Sequence, residues 1–203
     1  MIKAVIRILV IFLLSILFYG NIYFWTDENG IKHFTNITPP LNETVEESKE
    51  SNAVFENQLF RVLKVFDGDT IKVTGFDLTF KIRLVGIDSP EIGFKGQKSQ
   101  PFSQKAKQHL AGLVDNKKVA INSYGTGAYN RQLAEVFVNN KNINIEMIRA
   151  GLAEVYTGRR PKKLDSQIYL KEELRARRAQ KGMWIQGSSY KSPRQWRKEH
   201  PRK

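Results

Sequence analysis

From residue 58 onward the chain is written in short alternating segments: "LFRVLKVF", "TIKVTG", "LTFKIRLVGI", and later "KKVAINSY" and "RQLAEVFV". Period-two alternation sends successive side chains to opposite faces, and five such segments predict a small closed or nearly closed β-barrel. Between the third and fourth lies "QPFSQKAKQHLAGLV", where Phe102, Ala106, Leu110 and Leu113 or Val114 recur at helical spacing. A helix there would plug the barrel. Two further helical stretches follow, "NINIEMIRAGL" and "LDSQIYLKEELRARRAQKGMW". The fold class is therefore α+β, mainly β: a five-stranded barrel with three helices.

What precedes the barrel has a different character. The first 20 residues, "MIKAVIRILVIFLLSILFYG", place Lys3 and Arg7 ahead of an apolar run broken only by Ser15. That is the pattern of an export signal, but Leu17, Phe18 and Tyr19 stand where a cleavage site needs small residues, so the segment is expected to be either a signal peptide or an uncleaved membrane anchor. Either would send the chain out of the cytoplasm, to the cell envelope or beyond it. Residues 21–40 hold two aromatic alternating segments around Asp27-Glu28-Asn29-Gly30, and Asn-Gly supplies the left-handed geometry of a hairpin turn. Their Tyr-x-Trp-x-Asp-x-x-Gly-x-x-His-Phe run resembles the envelope-associated DUF4124 module. Residues 41–57 are acidic and lack hydrophobic periodicity, which reads as a linker. The barrel domain is expected over 58–187 and a basic tail over 188–203.

Charge narrows the partners. Lysine and arginine number 33 against 20 acids, a net charge of +13. Residues 159–203 alone carry 15 basic and 4 acidic side chains. Such a surface attracts polyanions, either phosphate backbones or an anionic membrane. With no cysteine, disulfides, thiolate metal sites and cysteine nucleophiles are excluded. The three histidines, His33, His109 and His200, are too scattered for a zinc motif.

Three places could carry chemistry. "FDGDT" sets Asp67 and Asp69 around Gly68, which by itself could be an ordinary hairpin turn. In "FKIRLVGIDSPE", Leu78, Phe80, Ile82 and Leu84 share one strand face, so Arg83 points away from the core towards the strand end, where Asp88, Ser89, Pro90 and Glu91 follow. "SYGTGAYNRQLAEVF" delivers Tyr129 and Arg131 to the start of the fifth strand. Each has a structural explanation alone. Together they supply carboxylates and arginines at strand ends that a barrel can bring together.

"DGDT", "RLVGIDSPE", "YNRQLAEV" and "GLAEVY", in this order, resemble the staphylococcal nuclease family, an OB-fold barrel with helices, from about Leu59 to Gln186. "SPRQWR" is similar to the tail of bacterial members. The resemblance implies that Asp69 and Asp88 bind one calcium ion with the backbone carbonyl of Ser89. It further implies that Glu91 positions or deprotonates the attacking water, that Arg83 and Arg131 grip the scissile phosphate, and that Tyr129 and Tyr156 line the nucleotide pocket. Asp67 would orient the site without touching the ion. Ser89 replaces the usual threonine, and Tyr-Asn-Arg stands where Tyr-Gly-Arg is usual. The implied activity is calcium-dependent hydrolysis of DNA and RNA, single strands favoured, with little sequence specificity and 3′-phosphate products, by a monomeric nuclease domain. Two rival readings remain: a non-catalytic OB-fold module binding nucleic acid or protein, and an envelope protein whose basic helix docks on anionic lipid.

Overall fold

The computed structural model describes residues 59–75 and 78–201, together with the backbone of residues 23–26 and 32–35. Strands β1 (Tyr23–Thr26) and β2 (Lys32–Thr35) pair antiparallel, Tyr23 with Thr35 and Thr26 with Lys32, as expected of a hairpin. The signal or anchor at 1–20 and the linker at 41–57 lie outside the described residues. Among the described residues, no helix is long and apolar enough to cross a membrane.

The barrel is built from β3 (Leu59–Val65), β4 (Thr70–Gly75), β5 (Leu78–Leu84), β7 (Lys118–Gly127) and β8 (Arg131–Val138). They run β5-β4-β3-β7-β8, and a parallel pairing of β5 with β8 returns the last strand to the first. The sheet therefore has no free edge within the barrel, which is why strands this short can be stable. The alternation read from β5 holds: Ile82 and Leu84 are fully buried while Thr79 and Lys81 are exposed. Phe60, Ile71, Val73, Val119 and Val136 complete the core from the other strands.

Helix α1 (Ser103–Val114) covers one end of the barrel through Ala106, Leu110 and Val114, all completely buried, the stripe its spacing predicts. Strand β6 (Ile87–Asp88) follows β5, and β9 (Lys141–Asn142) extends the sheet beside β8. Next, α2 (Ile143–Arg149) is capped by Asn142, whose side chain accepts from Ile145 N at 3.2 Å. Inside α2, the fully buried Asn144 donates to the carbonyls of Val85 (2.9 Å) and Ala134 (3.1 Å) and accepts from Val136 N (3.0 Å). One side chain thus ties the helix to both closing strands. β10 (Glu154–Val155) pairs with β6, and α3 (Ser166–Arg178), capped by Asp165, packs against α2, where Glu172 accepts from Arg149 Nε at 3.1 Å, while Ala176 packs with Met183 and Trp184.

The three expected helices form, and a fourth corrects the reading of 188–203 as a plain basic tail. After a 3₁₀ segment at Gly182–Ser189, α4 occupies Pro193–Glu199. Ser192 Oγ accepts from Gln195 N at 3.1 Å, Pro193 starts the helix and Trp196 is buried. Serine at the cap and proline at the first turn are strong start signals. The apolar anchor then turns a solvated basic run into a docked element.

Candidate active site

Register brings the charged residues together. The β4–β5 pairing sets Thr70 opposite Arg83, and Leu84 N donates to Asp69 O at 2.8 Å, so Arg83 lies beside the end of the "FDGDT" turn. The β6–β10 pairing holds Asp88 opposite Glu154. Arg83 then bridges the two carboxylates: Nη1 pairs with Asp69 Oδ2, and Nη2 donates to Asp88 Oδ1 at 3.0 Å. Ser89 N donates to Asp69 Oδ2 (2.8 Å) and Thr70 Oγ1 to Asp69 Oδ1 (3.0 Å). Asp67 Oδ1 accepts from Asp69 N at 3.0 Å. Arg83 does point away from the barrel core, yet it is largely buried by the site around it.

Gly68 is needed here for room. A Cβ at this position would lie 2.6 Å from Ala106 Cβ and 2.8 Å from Ser89 Cβ. The turn therefore presses against α1 and against the residue that bonds Asp69. The expectation that glycine serves the turn itself is replaced by close packing.

The electrostatics follow from burial and pairing. Burial opposes ionisation of Asp69, but Arg83 and the Ser89 N–H outweigh it and hold the carboxyl below its ordinary value. Asp67 goes the other way: burial, then the charge of Asp69, push it up to about 7. Of the two aspartates in "FDGDT", Asp69 is held anionic and Asp67 readily takes a proton. Burial disfavours the charged form of Arg83, yet Asp69 and Asp88 raise its affinity for the proton overall. Burial and the proximity of Arg83 lower that of Arg131.

A cavity of about 970 Å³ opens over this cluster, lined among others by Asp69, Arg83, Glu91, Tyr129, Arg131 and Tyr156. Glu91 is clamped through its backbone: its N–H donates to Gln100 Oε1 (3.0 Å) and its carbonyl accepts from Gln100 N (2.8 Å). Pro90 and Glu91 lie in neither helix nor strand. Arg131 Nε donates to Ala128 O at 3.2 Å, and its guanidinium lies 5.6 Å from the Tyr129 ring. Tyr129 is 90% exposed, so it stands at the rim of the cavity, while Tyr156 is half-buried in its wall. Asn130, the departure in the Tyr-Asn-Arg run, sits at φ 52°, a region asparagine enters more readily than most side chains.

Sequence reasoning missed Arg197. From α4 it donates to Asp88 Oδ1 (3.0 Å), Asp88 Oδ2 (2.7 Å) and Glu91 Oε1 (2.6 Å). "SPRQWR" signals a capped helix with a tryptophan anchor, but not what its arginine meets. Arg159, Arg160 and His200 also line the cavity without having been singled out.

Comparison with known proteins agrees with this geometry. A family model described as "Staphylococcal nuclease homologue" matches residues 81–186, which takes in Arg83, Asp88, Glu91 and Arg131. An "Uncharacterized endonuclease" of Haemophilus influenzae is 36% identical over 145 residues, covering 71% of this chain and 75% of that protein. A "Probable endonuclease LCL3" of Scheffersomyces stipitis is 33% identical over 132 residues, and one of Candida dubliniensis 35%, each match covering 62% of this chain and 56% of the yeast protein. The chain thus spans three quarters of the bacterial relative and little more than half of the yeast ones. With its five-stranded barrel closed by β5 and β8, and the matched segment running from the end of β5 through β7, β8 and helices α1 to α3, the chain belongs to the staphylococcal nuclease homologue family.

Proposed function

We propose that this protein is a metal-dependent nuclease that hydrolyses phosphodiester bonds of DNA and RNA with little sequence specificity, favouring single strands and using one calcium ion. The observation that carries the reading is the convergence on one cavity of two arginines, Arg83 and Arg131, with Asp69 and Glu91, beside Asp88. A phosphodiester anion repels its nucleophile, and a site that works on it must gather positive charge around the phosphate.

The residues fit a hard cation. Asp69 and Asp88 are drawn to the same guanidinium, and Ser89, next to Asp88 in the chain, bonds Asp69 through its N–H. Among the described residues, no three carboxylate or imidazole side chains gather into a metal cage, so the Ser89 carbonyl and water would complete the shell. Such an all-oxygen, partly hydrated set suits calcium. When bound, the ion supplies electrophilic stabilisation of the phosphate oxygens.

The protein's own groups divide the remaining work. Arg131 offers a planar fork, and Arg83, its Nη atoms engaged by Asp69 and Asp88, adds positive charge, where negative charge grows on the phosphorus-bound oxygens as water attacks. Glu91, clamped through Gln100, orients that water and takes its proton. The P–O5′ bond breaks as the new P–O bond forms, the 5′-oxygen leaves as a hydroxyl with a proton taken from solvent water, and the phosphate stays on the 3′-oxygen. Tyr129 at the rim and Tyr156 in the wall present ring faces to bases, which is sequence-tolerant because every base has a π face. Each arginine contact is worth about 3 kcal/mol in the transition state. The apolar segment at 1–20 supports export, with the nuclease secreted or held at the cell envelope on its outer side.

The test is hydrolysis of single- and double-stranded DNA and of RNA by the full-length chain, in calcium and in chelator, beside Arg83→Ala and Glu91→Ala. Calcium-dependent cleavage that both variants lose supports the assignment. Salt-sensitive binding without cleavage in any divalent metal would move the barrel to the non-catalytic class. Fractionation of cells expressing the full chain tests the location: recovery in the cytoplasm would remove the export proposal.

A further inference from the structure

Arg197 does more than sit near the site. Its Nη1 donates to Asp88 Oδ1 and Glu91 Oε1 and its Nη2 to Asp88 Oδ2, while Arg83 Nη2 also donates to Asp88 Oδ1. A carboxylate oxygen has two acceptor sites, so Asp88 Oδ1 is fully engaged and Oδ2 keeps one. The fork of an arginine matched to both oxygens of a carboxylate is a strong cation–carboxylate contact.

The helix that carries this fork is fastened to the same loop as Glu91. Gln100 Nε2 donates to Lys191 O (2.8 Å) ahead of α4, and Gln97 Nε2 to Pro201 O (2.9 Å) after it. Trp196 is buried and stacks on His200 with ring centres 4.0 Å apart. Arg197 itself stays 38% exposed, so its side chain has solvent to withdraw into. A divalent ion held by Asp88 would have to share the carboxylate with this fork, and its charge repels a guanidinium at contact distance, so the two compete.

We infer that Arg197 is a built-in counter-cation of the active site that a divalent ion displaces, so that α4 works as a latch over Asp88 and Glu91 which metal binding loosens. The inference rests on the reading of Asp88 as a ligand of the ion. It makes the C-terminal helix part of metal control, beyond the general affinity for polyanions that its charge would give.

Two measurements on the full-length chain test it. Calorimetric titration with calcium should show Arg197→Ala binding the ion about tenfold more tightly than the wild type, since a competing cation at contact distance is gone. Amide hydrogen exchange should show calcium accelerating exchange across 193–199 in the wild type and having no such effect in Arg197→Ala. The second result is the stricter, because a bound ligand ordinarily slows exchange, and it needs only the wild-type protein should the variant fail to fold. Equal or weaker calcium binding by the variant overturns the latch, as does unchanged or slower exchange in α4. A chain that cleaves DNA in calcium with α4 exchange unmoved loses the latch and keeps the nuclease. A chain that cleaves nothing in any metal and shows no calcium effect on α4 loses both.

Discussion

Replacing Glu154 by glutamine should stabilise the folded chain above neutral pH and leave it nearly unchanged in acid. Glu154 is only 4% exposed, lies opposite Asp88 in the β6–β10 pair and accepts a 2.5 Å bond from Tyr190 Oη. Burial pushes its carboxyl from an ordinary 4.5 up to about 7, the Tyr190 bond opposes this, and the charges of Asp88 and Glu173 add to it. The unfolded chain therefore loses this proton near 4.5 and the folded chain near 7. Between those values the folded state binds more protons than the unfolded one, so stability falls as pH rises from 4.5 to 7, and the full cost stands above 7. The gap corresponds to about 3 kcal/mol, and solvent reaching the edge of the site reduces it to roughly 2 kcal/mol. Glutamine keeps the acceptor for Tyr190 and removes the charge. Urea unfolding of both chains at pH 4.5, 6 and 8, in chelator so that no dication alters the charge facing Glu154, reads the difference directly. An advantage of the variant that is the same at all three pH values, or a less stable variant at pH 8, would refute the reasoning.

Other substitutions probe the scaffold and the site separately. Gly68→Ala drives a methyl group into Ala106 and Ser89 and should cost about 2 kcal/mol in urea unfolding, with cleavage reduced because Ser89 no longer seats Asp69. Asn144→Ala strands the Val85 carbonyl and the Val136 N–H, while the Ala134 carbonyl keeps its bond from Val85 N, and a loss of about 2 to 3 kcal/mol is expected by the same measurement. Arg83→Lys keeps the charge, but one ammonium cannot reproduce the fork that joins Asp69 to Asp88. Its kcat/KM on DNA should fall by about 100-fold or more, and a value within threefold of wild type would remove Arg83 from the chemistry.

The barrel was legible because period-two alternation is a local signal. Leu78 to Leu84 declares its own inward and outward faces, and the Ala106, Leu110 and Val114 stripe declares a helix, without reference to any partner. The closing contact was not legible in the same way. Parallel pairing of β5 with β8 joins segments nearly 50 residues apart, and nothing within either strand names the other. The site sits between these cases. Asp69, Arg83, Asp88 and Glu91 could be gathered as strand-end residues, yet their mutual bonds depend on the β4–β5 and β6–β10 registers.

Arg197 shows why the remainder stayed hidden. An arginine in a basic run is most often solvated, and fifteen basic side chains after residue 158 give no reason to choose one. What selects it is a chain of constraints from outside its own neighbourhood. Ser192 caps the helix, Trp196 buries one face of it, and Gln97 and Gln100 fasten both flanks to the loop behind Glu91. Once those are in place, the side chain following Trp196 has one large concentration of negative charge within reach, and it takes it. Ionised carboxylates gathered this closely repel one another unless cations lie between them, so Arg83 within the barrel could not balance Asp69, Asp88 and Glu91 alone. A second guanidinium is what that arrangement requires, and the C-terminal helix is where this fold supplies it.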